Sequence, residues 1–313
     1  MQVTALAGGI GAGKFLRGLV RVVPPDDVTV IVNTADDIEM HGLHVSPDLD
    51  SVTYWLGDAF DRERGWGRRD ETFRATEELR RFDPEMAWFN LGDLDLATHL
   101  FRSNRLASGA TLTEVTDEIV SRFGVTARLL PMTDDRVTTR IDVVAEGREL
   151  DLHFQEYWVR RGARDEVKAV RYEGAGDARS ARGVLEALAD ADVVIVCPSN
   201  PVASIAPILA VPGLHDAVAA RRSEVVGISG IVGGAPLSGM ADKLLPVAGV
   251  EVTAAGAAET YRGLLGAWVI DEVDRALSNR ISATGVRVGV TDTVMTDDGR
   301  AEALARFALD LVA

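Results

Sequence analysis

The sequence contains a single cysteine, Cys197, among its 313 residues. One cysteine excludes an intrachain disulfide, and because Cys197 follows the apolar run 193–196, a buried thiol is expected rather than a nucleophile. Lysine is also scarce: only Lys14, Lys168 and Lys243 occur, so arginine carries nearly all of the positive charge.

An excess of basic charge and long apolar runs are also lacking. The 48 acidic residues outnumber 33 basic ones, and the formal net charge of −15 disfavours nonspecific nucleic-acid binding. No apolar run reaches the length of a membrane span, and the first apolar stretch has no charged lead and is broken by glycines. We therefore expect a soluble cytoplasmic protein with neither a nucleic-acid nor a membrane partner.

A glycine-rich segment, Gly8-Gly9-Ile10-Gly11-Ala12-Gly13-Lys14, opens the chain after a short apolar strand pattern at 1–7. Backbone amides approach a phosphate closely at such a loop, assisted by the positive end of the following helix dipole. The glycine and lysine spacing of a P-loop is present, but Phe15 stands where a hydroxyl should meet magnesium. The dinucleotide fingerprint fails because its third glycine falls one position early, at Gly13. Both a phosphate site and a tight turn without a ligand fit this loop.

Four aspartates follow the next apolar run, 28–32, within fifteen positions: Asp36, Asp37, Asp48 and Asp50. In an open parallel sheet the end of such a strand is where ligands bind. Buried together without a cation these carboxylates would repel one another, and oxygen ligands suit magnesium or calcium better than zinc. An acidic surface loop is the alternative. Apolar residues between the clusters favour a shaped metal site.

Strand-like runs at 3–7, 28–32, 87–91, 193–196 and 225–228 are mostly separated by helical patterns. This alternation predicts an α/β fold with a Rossmann-like, doubly wound and mostly parallel sheet. The C-terminal part has a helical pattern at 257–265, strand patterns at 268–270 and 286–290, and a final helix at 299–311.

The middle of the chain has a different pattern. A helix is predicted at 112–123, and strands at 137–144 and 150–154 flank Glu146-Gly147 as in a hairpin. We expect residues 1–100 and 185–313 to form a Rossmann-like core and residues 101–184 to form an inserted α+β lobe.

Three further loops carry polar residues where predicted strands end. Asp93 or Asp95 either caps the helix that follows or binds a ligand. Ser199 and Asn200, with Ser204 beyond them, either contact phosphate or base or form a capped turn. The glycine-rich span 229–234 either lets the backbone approach a nucleotide closely or is a mobile loop. Elsewhere, Trp66 between arginines suits a flat anionic ring, or is a half-buried surface tryptophan.

Taken together in chain order, these segments closely resemble the 2-phospho-L-lactate transferase family, called CofD, or FbiA in actinobacteria. The resemblance covers nearly the whole chain, and Gly65-Trp66-Gly67 looks more like the actinobacterial phosphoenolpyruvate branch. The matching segments are Leu6-Ala7-Gly8-Gly9, Asp36-Asp37, His41-Gly42-Leu43, Ser46-Pro47-Asp48-Leu49-Asp50, Gly65-Trp66-Gly67, Arg69-Asp70-Glu71-Thr72, Leu91-Gly92-Asp93, Asp95-Leu96-Ala97-Thr98-His99, Pro198-Ser199-Asn200-Pro201 and Gly239-Met240-Ala241-Asp242.

The resemblance implies a step of coenzyme F420 synthesis. In that step a ribityl hydroxyl of the deazaflavin Fo attacks a guanosine diphosphate adduct of phospholactate or phosphoenolpyruvate, giving a phosphodiester and releasing GMP. It also implies a homodimer. Phospholactate and phosphoenolpyruvate are not distinguished by this sequence. Where members often carry Gly-Asp-Arg-Asp this chain has Gly92-Asp93-Leu94-Asp95, so no arginine contact transfers to Leu94.

The resemblance also implies site residues. Magnesium held by Asp37 and Asp50 would neutralise the diphosphate and the developing charge. One of these two, or Asp36, would accept the hydroxyl proton. The residues implied to contact the substrates are Gly9, Gly11, Gly13, Lys14, Ser199, Asn200, Ser204, Gly230 and Gly233 for guanosine and phosphates, and Asp50, Trp66 and Asp93 for Fo.

Two other functions fit parts of the sequence. A nucleotide-sugar-binding regulator of the same fold would share the glycine loop and the 199–201 region, but would have little reason to carry the Trp66 segment. An NAD oxidoreductase is disfavoured by the failed fingerprint.

Overall fold

The computed structural model describes residues 1–312. Within this range the strands are β1 (Val3–Ala7), β2 (Val28–Val32), β3 (Ile38–Met40), β4 (Leu43–Val45), β5 (Arg128–Pro131), β6 (Thr138–Ala145), β7 (Arg148–His153), β8 (Glu166–Glu173), β9 (Val193–Val196), β10 (Val225–Ile228), β11 (Ile231–Val232), β12 (Ala235–Pro236), β13 (Ala267–Asp271) and β14 (Arg287–Thr291). The α-helices are α1 (Gly9–Val22), α2 (Pro47–Leu56), α3 (Arg74–Phe82), α4 (Asp93–Ala107), α5 (Leu112–Arg122), α6 (Val184–Asp190), α7 (Ala206–Ala210), α8 (Leu214–Ala220), α9 (Ala241–Leu244), α10 (Ala254–Glu259), α11 (Ser278–Ser282) and α12 (Asp298–Asp310).

Seven parallel strands form the central sheet of residues 1–312, in the order β14-β13-β10-β9-β1-β2-β5. Alternate residues of each strand point to opposite faces, and both faces are covered by apolar side chains. In β1, Ala5 packs into a cluster with Phe15 of α1 and Leu304 of α12, whereas Leu6 packs into the cluster on the other face with Ile205. The predicted α/β, doubly wound parallel sheet is confirmed.

The chain changes direction across the sheet between β1 and β9, which are adjacent parallel strands. The loops after these two strands touch: the Gly8 amide donates to Ser199 Oγ at 3.2 Å, and that hydroxyl donates to the Gly8 carbonyl at 2.8 Å. Such a topological switch point leaves a crevice at the carboxyl edge of the sheet, where open α/β sheets bind ligands.

A separate antiparallel sheet, in the order β7-β6-β8, contains the predicted hairpin around Glu146-Gly147. The structure places β5 in the central sheet beside β2, and α4 runs across the predicted boundary at residue 100. The lobe limits of 101–184 stay a prediction.

Two predicted elements differ in the structure. Residues 87–91 do not form a strand: a 3-10 helix spans Pro84–Trp88, and the aromatic pair Trp88 and Phe89 packs against Leu91 and Met40 instead of entering the sheet. The predicted helix at 257–265 ends earlier, because α10 spans Ala254–Glu259 and the chain then turns. A short apolar run does not distinguish strand, helix and turn, since burial produces all three.

Within residues 1–312, no single helix is long and apolar enough to cross a membrane. One bent pair, Pro201–Ala210 with Leu214–Ala220 at 95°, passes on length and composition alone.

Candidate active site

A cleft of about 920 Å³ lies at the carboxyl edge of the central sheet. Its walls come from the glycine loop after β1, the segment around β4 and α2, the start of α4, and the loops after β9, β10 and β14. Because all these elements meet at the switch point, residues far apart in the chain face one cavity.

The glycine loop forms one wall of this cleft. Gly9 has a φ of +71°, a backbone conformation that residues with a Cβ atom rarely adopt. A Cβ at Gly8 would lie 2.5 Å from Asp48 Oδ2, and one at Gly11 would lie 2.2 Å from the Pro198 carbonyl oxygen. The glycines therefore let the first turn of α1 pack directly against an acidic side chain and the loop after β9.

Lys14 lines the same wall. Among residues 1–312 no carboxylate forms an ion pair with it, unlike most arginines of the chain. A lysine at the positive end of a helix and without an internal partner is suited to an anionic ligand.

Beneath the loop lies a buried carboxylate pair, Asp36 and Asp48. Asn33 Nδ2 donates to Asp36 Oδ1 and to Asp48 Oδ2, each at 3.0 Å, and Gln155 Nε2 donates to Asp36 Oδ2 at 3.0 Å. Burial raises the pKa of Asp48 to about 7, and burial together with the Asp48 charge raises the pKa of Asp36 well above its usual range. The protein supplies amide donors but no cation here, so this pair favours positive charge in the cleft.

A second buried group consists of Asp50 on α2 with Asp95 and His99 on α4, whose ligand atoms lie within 4.8 Å of one another. Arg102 forms a bidentate salt bridge with Asp50, with one hydrogen bond at 3.0 Å, and the whole arginine residue is 1% exposed. The Tyr54 hydroxyl donates to Asp95 Oδ1 at 2.6 Å. Residues 95, 99 and 102 share one face of α4 because their spacing follows the helical period.

The electrostatics of this second group suit a cation. Burial and the Asp50 charge raise the pKa of Asp95 to about 7, and burial lowers the pKa of His99 to about 4, so the imidazole is neutral at pH 7. Arg102 Nη1 donates to His99 Nδ1 at 3.3 Å, so the proton of the neutral ring lies on the buried Nε2, which has no hydrogen-bond partner within residues 1–312. The two carboxylates of this buried group can hold a metal ion through their oxygens.

Asp37 lies behind the cleft wall rather than on it. Its Oδ2 accepts hydrogen bonds from Ser46 at 2.7 Å and contacts His44 Nε2 at 2.9 Å, while Oδ1 is buried without a partner. Burial raises the pKa of Asp37. The sequence predicts Asp37 as a metal ligand together with Asp50; Asp50 belongs to the buried group that it forms with Asp95 and His99, and Asp37 does not.

The other predicted residues divide between the cleft and its surroundings. Those on the cleft wall are Gly9, Gly11, Lys14, Asp36, Asp50, Trp66, Ser199, Asn200, Ser204 and Gly230. Asn200 also caps the turn after β9, since its Oδ1 accepts from the amides of Val202 and Ala203. Three predicted residues do not line the cleft: Gly13 packs under the Trp55 ring, Gly233 donates to Asp274, and Asp93 bonds to Thr72 and to amides at the start of α3.

In the sequence Asp48 and Asp95 are candidate ligands and Gln155 is a candidate pocket residue, each without a defined role, whereas His99 and Arg102 are not identified as site residues. The i, i+4, i+7 spacing of Asp95, His99 and Arg102 indicates that these three polar residues share one face of a helix. No local signal predicts the contact of Gln155 with Asp36, because the two residues lie 119 positions apart.

The fold and cleft define an α/β protein with a buried acidic site beside a glycine-rich loop of the kind that binds phosphate. The model of the family described as 2-phospho-L-lactate transferase CofD matches residues 3–305, and the chain belongs to this family. It is a transferase of coenzyme F420 biosynthesis.

Relatives extend over the whole chain. The phosphoenolpyruvate transferase of Streptomyces griseus subsp. griseus is 49% identical over 312 residues, which cover 99% of this chain and 98% of the relative. The corresponding enzyme of Thermobifida fusca is 46% identical and that of Mycolicibacterium smegmatis 41%, each over 99% of this chain and 98% of the relative. The nucleotide-sugar-binding regulator is therefore not favoured.

Solved structures agree on the fold. A Bacillus halodurans protein superposes with a TM-score of 0.64 at 18% identity, over 98% of this chain and 99% of that one. A second structure of the same protein, titled a member of the UPF0052 family, has a TM-score of 0.62 at 18% identity, over 99% and 100% of the two chains. At this identity the likeness concerns architecture only.

Proposed function

We propose that this transferase moves a phosphoenolpyruvyl group from its guanosine diphosphate adduct to a ribityl hydroxyl of Fo. The hydroxyl oxygen bonds to the phosphorus that carries the three-carbon acid, the bond from that phosphorus to GMP breaks, and the hydroxyl proton passes to a carboxylate. The observation that carries this proposal is one cleft that joins an unpaired lysine and a glycine loop to two buried acidic groups. The choice of phosphoenolpyruvate over phospholactate rests on the names of relatives at 40–49% identity.

The glycine loop and Lys14 are proposed to hold the diphosphate, because backbone amides at the start of α1 and an ammonium group face the cleft there. Ser199, Ser204 and Gly230 lie on the adjoining wall and are proposed to contact the guanosine. Trp66, which lines the same cleft and is 37% exposed, is proposed to stack on the deazaflavin ring.

Magnesium is proposed to bind at Asp50 and Asp95, next to His99. The residues fit because Asp50 and Asp95 place buried carboxylate oxygens, the ligand type that magnesium prefers, within 4.8 Å of one another. The ion would supply neutralisation of the diphosphate charge, as phosphoryl transfer requires. Asp37, whose Oδ1 has no hydrogen-bond partner within residues 1–312, remains a predicted ligand but does not line the cleft.

Asp36 is proposed to accept the hydroxyl proton. Its carboxylate lines the cleft, and Asn33 and Gln155 each donate a hydrogen bond that orients it. Burial and the Asp48 charge raise the pKa of Asp36, and a carboxylate with a raised pKa accepts a proton more readily than an ordinary aspartate. The catalytic roles of Asp37 and Asp50 stay predictions beside it, as do the homodimer and the cytoplasmic location.

The test is incubation of purified protein with magnesium, Fo and each guanosine diphosphate adduct in turn, followed by mass spectrometry for GMP and the Fo phosphodiester. We expect product with the enolpyruvyl adduct and little with the lactyl adduct. Equal turnover of both would remove the donor preference. No product from either, with folded protein, would overturn the proposed reaction.

A further inference from the structure

The loop that carries Trp66, residues 57–73, forms the outer rim of the cleft and contains no α-helix. Four of its residues have positive φ: Asp58, Gly65, Gly67 and Asp70. An isolated antiparallel bridge joins Phe60 and Arg68 within this loop, and side chains make further contacts across it. We refer to residues 57–73 as the Trp66 loop.

Glu71 connects separate parts of the Trp66 loop through hydrogen bonds. Its side chain is 0% exposed, and Oε1 accepts from Arg64 Nη2 at 2.7 Å and from the Arg68 amide at 2.9 Å. The other oxygen leaves the loop: Oε2 accepts from the Asp95 amide at 3.2 Å, in the first turn of α4. Glu71 therefore joins the rim to the start of α4, beside two other contacts: Arg68 Nη1 donates to the Leu94 carbonyl at 2.9 Å, and the Asp93 amide donates to the Thr72 carbonyl at 2.7 Å.

The absence of a side chain at Gly92 makes room for the contact between Glu71 and α4. A Cβ at Gly92 would lie 1.8 Å from Glu71 Oε2, so only glycine leaves room for the carboxylate at the start of α4. Arg64, the ion-pair partner of Glu71, also contacts two aromatic rings of the loop. Its guanidinium lies 4.6 Å from the Trp66 ring centroid and 4.8 Å from that of Phe73. Arg64 Nε donates to the Trp66 carbonyl at 3.0 Å.

We infer that Glu71 is a positioning residue that fastens the Trp66 loop to the first turn of α4, so that the aromatic rim and the Asp95 and His99 face keep a constant spacing. The mechanical link stands on the contacts alone, whereas its effect on Fo binding rests on the proposed function. A rim displaced by about 1 Å would misalign an acceptor hydroxyl relative to the acidic group.

The mechanical link is tested by hydrogen exchange, which needs no substrate. In Glu71→Gln we expect peptides covering 61–70 and 93–98 to exchange about tenfold faster together. The matched control is Glu77→Gln, the same chemical change at an exposed α3 residue outside any ion pair of residues 1–312, which should leave both peptides unchanged. Acceleration of one peptide without the other, or of neither, would overturn the inference.

Kinetics test the consequence for the reaction. In Glu71→Gln the KM for Fo should rise about tenfold while the KM for the guanosine donor changes less than about twofold. A purely structural role would lower thermal stability without this difference between the two substrates. Glu71→Asp keeps the charge but is too short to reach both Arg64 and Asp95, so it should behave like Glu71→Gln; wild-type exchange and kinetics in Glu71→Asp would contradict the link. If the wild type forms no product, the exchange experiment still decides on the link, and only the proposed function fails.

Discussion

At the scale of single residues, Asp50 combines two roles because the proposed metal ligand is also the partner of a buried arginine. Replacing it by asparagine removes the charge from the metal group and leaves the guanidinium of Arg102, a residue that is 1% exposed, without a counter-ion. Breaking a buried pair from one side costs about 3 to 5 kcal/mol. We therefore expect Asp50→Asn to lose both activity, by about 100-fold or more, and stability.

The two effects separate in a double variant. Asp50→Asn with Arg102→Gln leaves no unpaired charge, so urea denaturation should show most of the stability restored while GMP release stays low. Near-normal turnover in Asp50→Asn would remove this carboxylate from the active site. Full recovery of turnover in the double variant would show that Asp50 serves stability alone.

At the scale of elements, Asp298 joins α12 to α1 and to the Trp66 loop. Its carboxylate pairs with Arg21 at 2.7 Å, Arg62 at 3.0 Å and Arg17 at 3.4 Å. Burial opposes its ionisation, but hydrogen bonds and positive charge from Arg62 and Arg17 outweigh burial and lower the pKa of Asp298. A lowered pKa in the folded state adds stability that is present above the unfolded pKa of about 3.9 and is lost as pH falls through the folded value.

Asp298→Asn should accordingly reduce the free energy of unfolding at pH 7 by about 1 kcal/mol. The difference from wild type should shrink below about pH 4, where the unfolded carboxyl is already protonated. Urea denaturation across this pH range measures it. Asp190→Asn, at an exposed residue outside any ion pair of residues 1–312, is the control and should show no such trend. A pH-independent difference for Asp298→Asn would assign its effect to packing instead of charge.

At the scale of the whole molecule, the fold gathers four buried carboxylates at one cleft: Asp36, Asp48, Asp50 and Asp95. Arg102 neutralises Asp50, but the remaining negative charge favours a bound cation. Saturating magnesium should therefore raise the melting temperature. At 100 times the dissociation constant, binding to the folded state adds about 2.7 kcal/mol. For a chain of this size that corresponds to about 5 °C.

Calorimetry with magnesium chloride, compared with sodium chloride at equal ionic strength, measures this effect. Asp95→Asn should abolish the magnesium-specific part, whereas Asp190→Asn should retain it. An equal rise with sodium chloride, or an unchanged magnesium effect in Asp95→Asn, would count against the proposed metal site.

Local pattern was sufficient for the architecture and the approximate position of the site. Strands such as β1 and β9 are short apolar runs bounded by glycine or proline, and their alternation with helices permits few arrangements other than a parallel sheet with its ligands at the carboxyl edge. The glycine loop and the Asp36 to Asp50 motif therefore could be placed at one rim from sequence.

Which side chains meet at that rim depended on tertiary packing. Asp37 and Asp50 are both motif carboxylates, yet one bonds to His44 behind the wall and the other faces α4. Asp95 and Asp93 are two positions apart on α4, which turns one into the cleft and the other toward α3. Glu71 reaches a helix 24 positions away. These contacts depend on how elements pack across long sequence separations, whereas periodicity records only which face of an element is apolar.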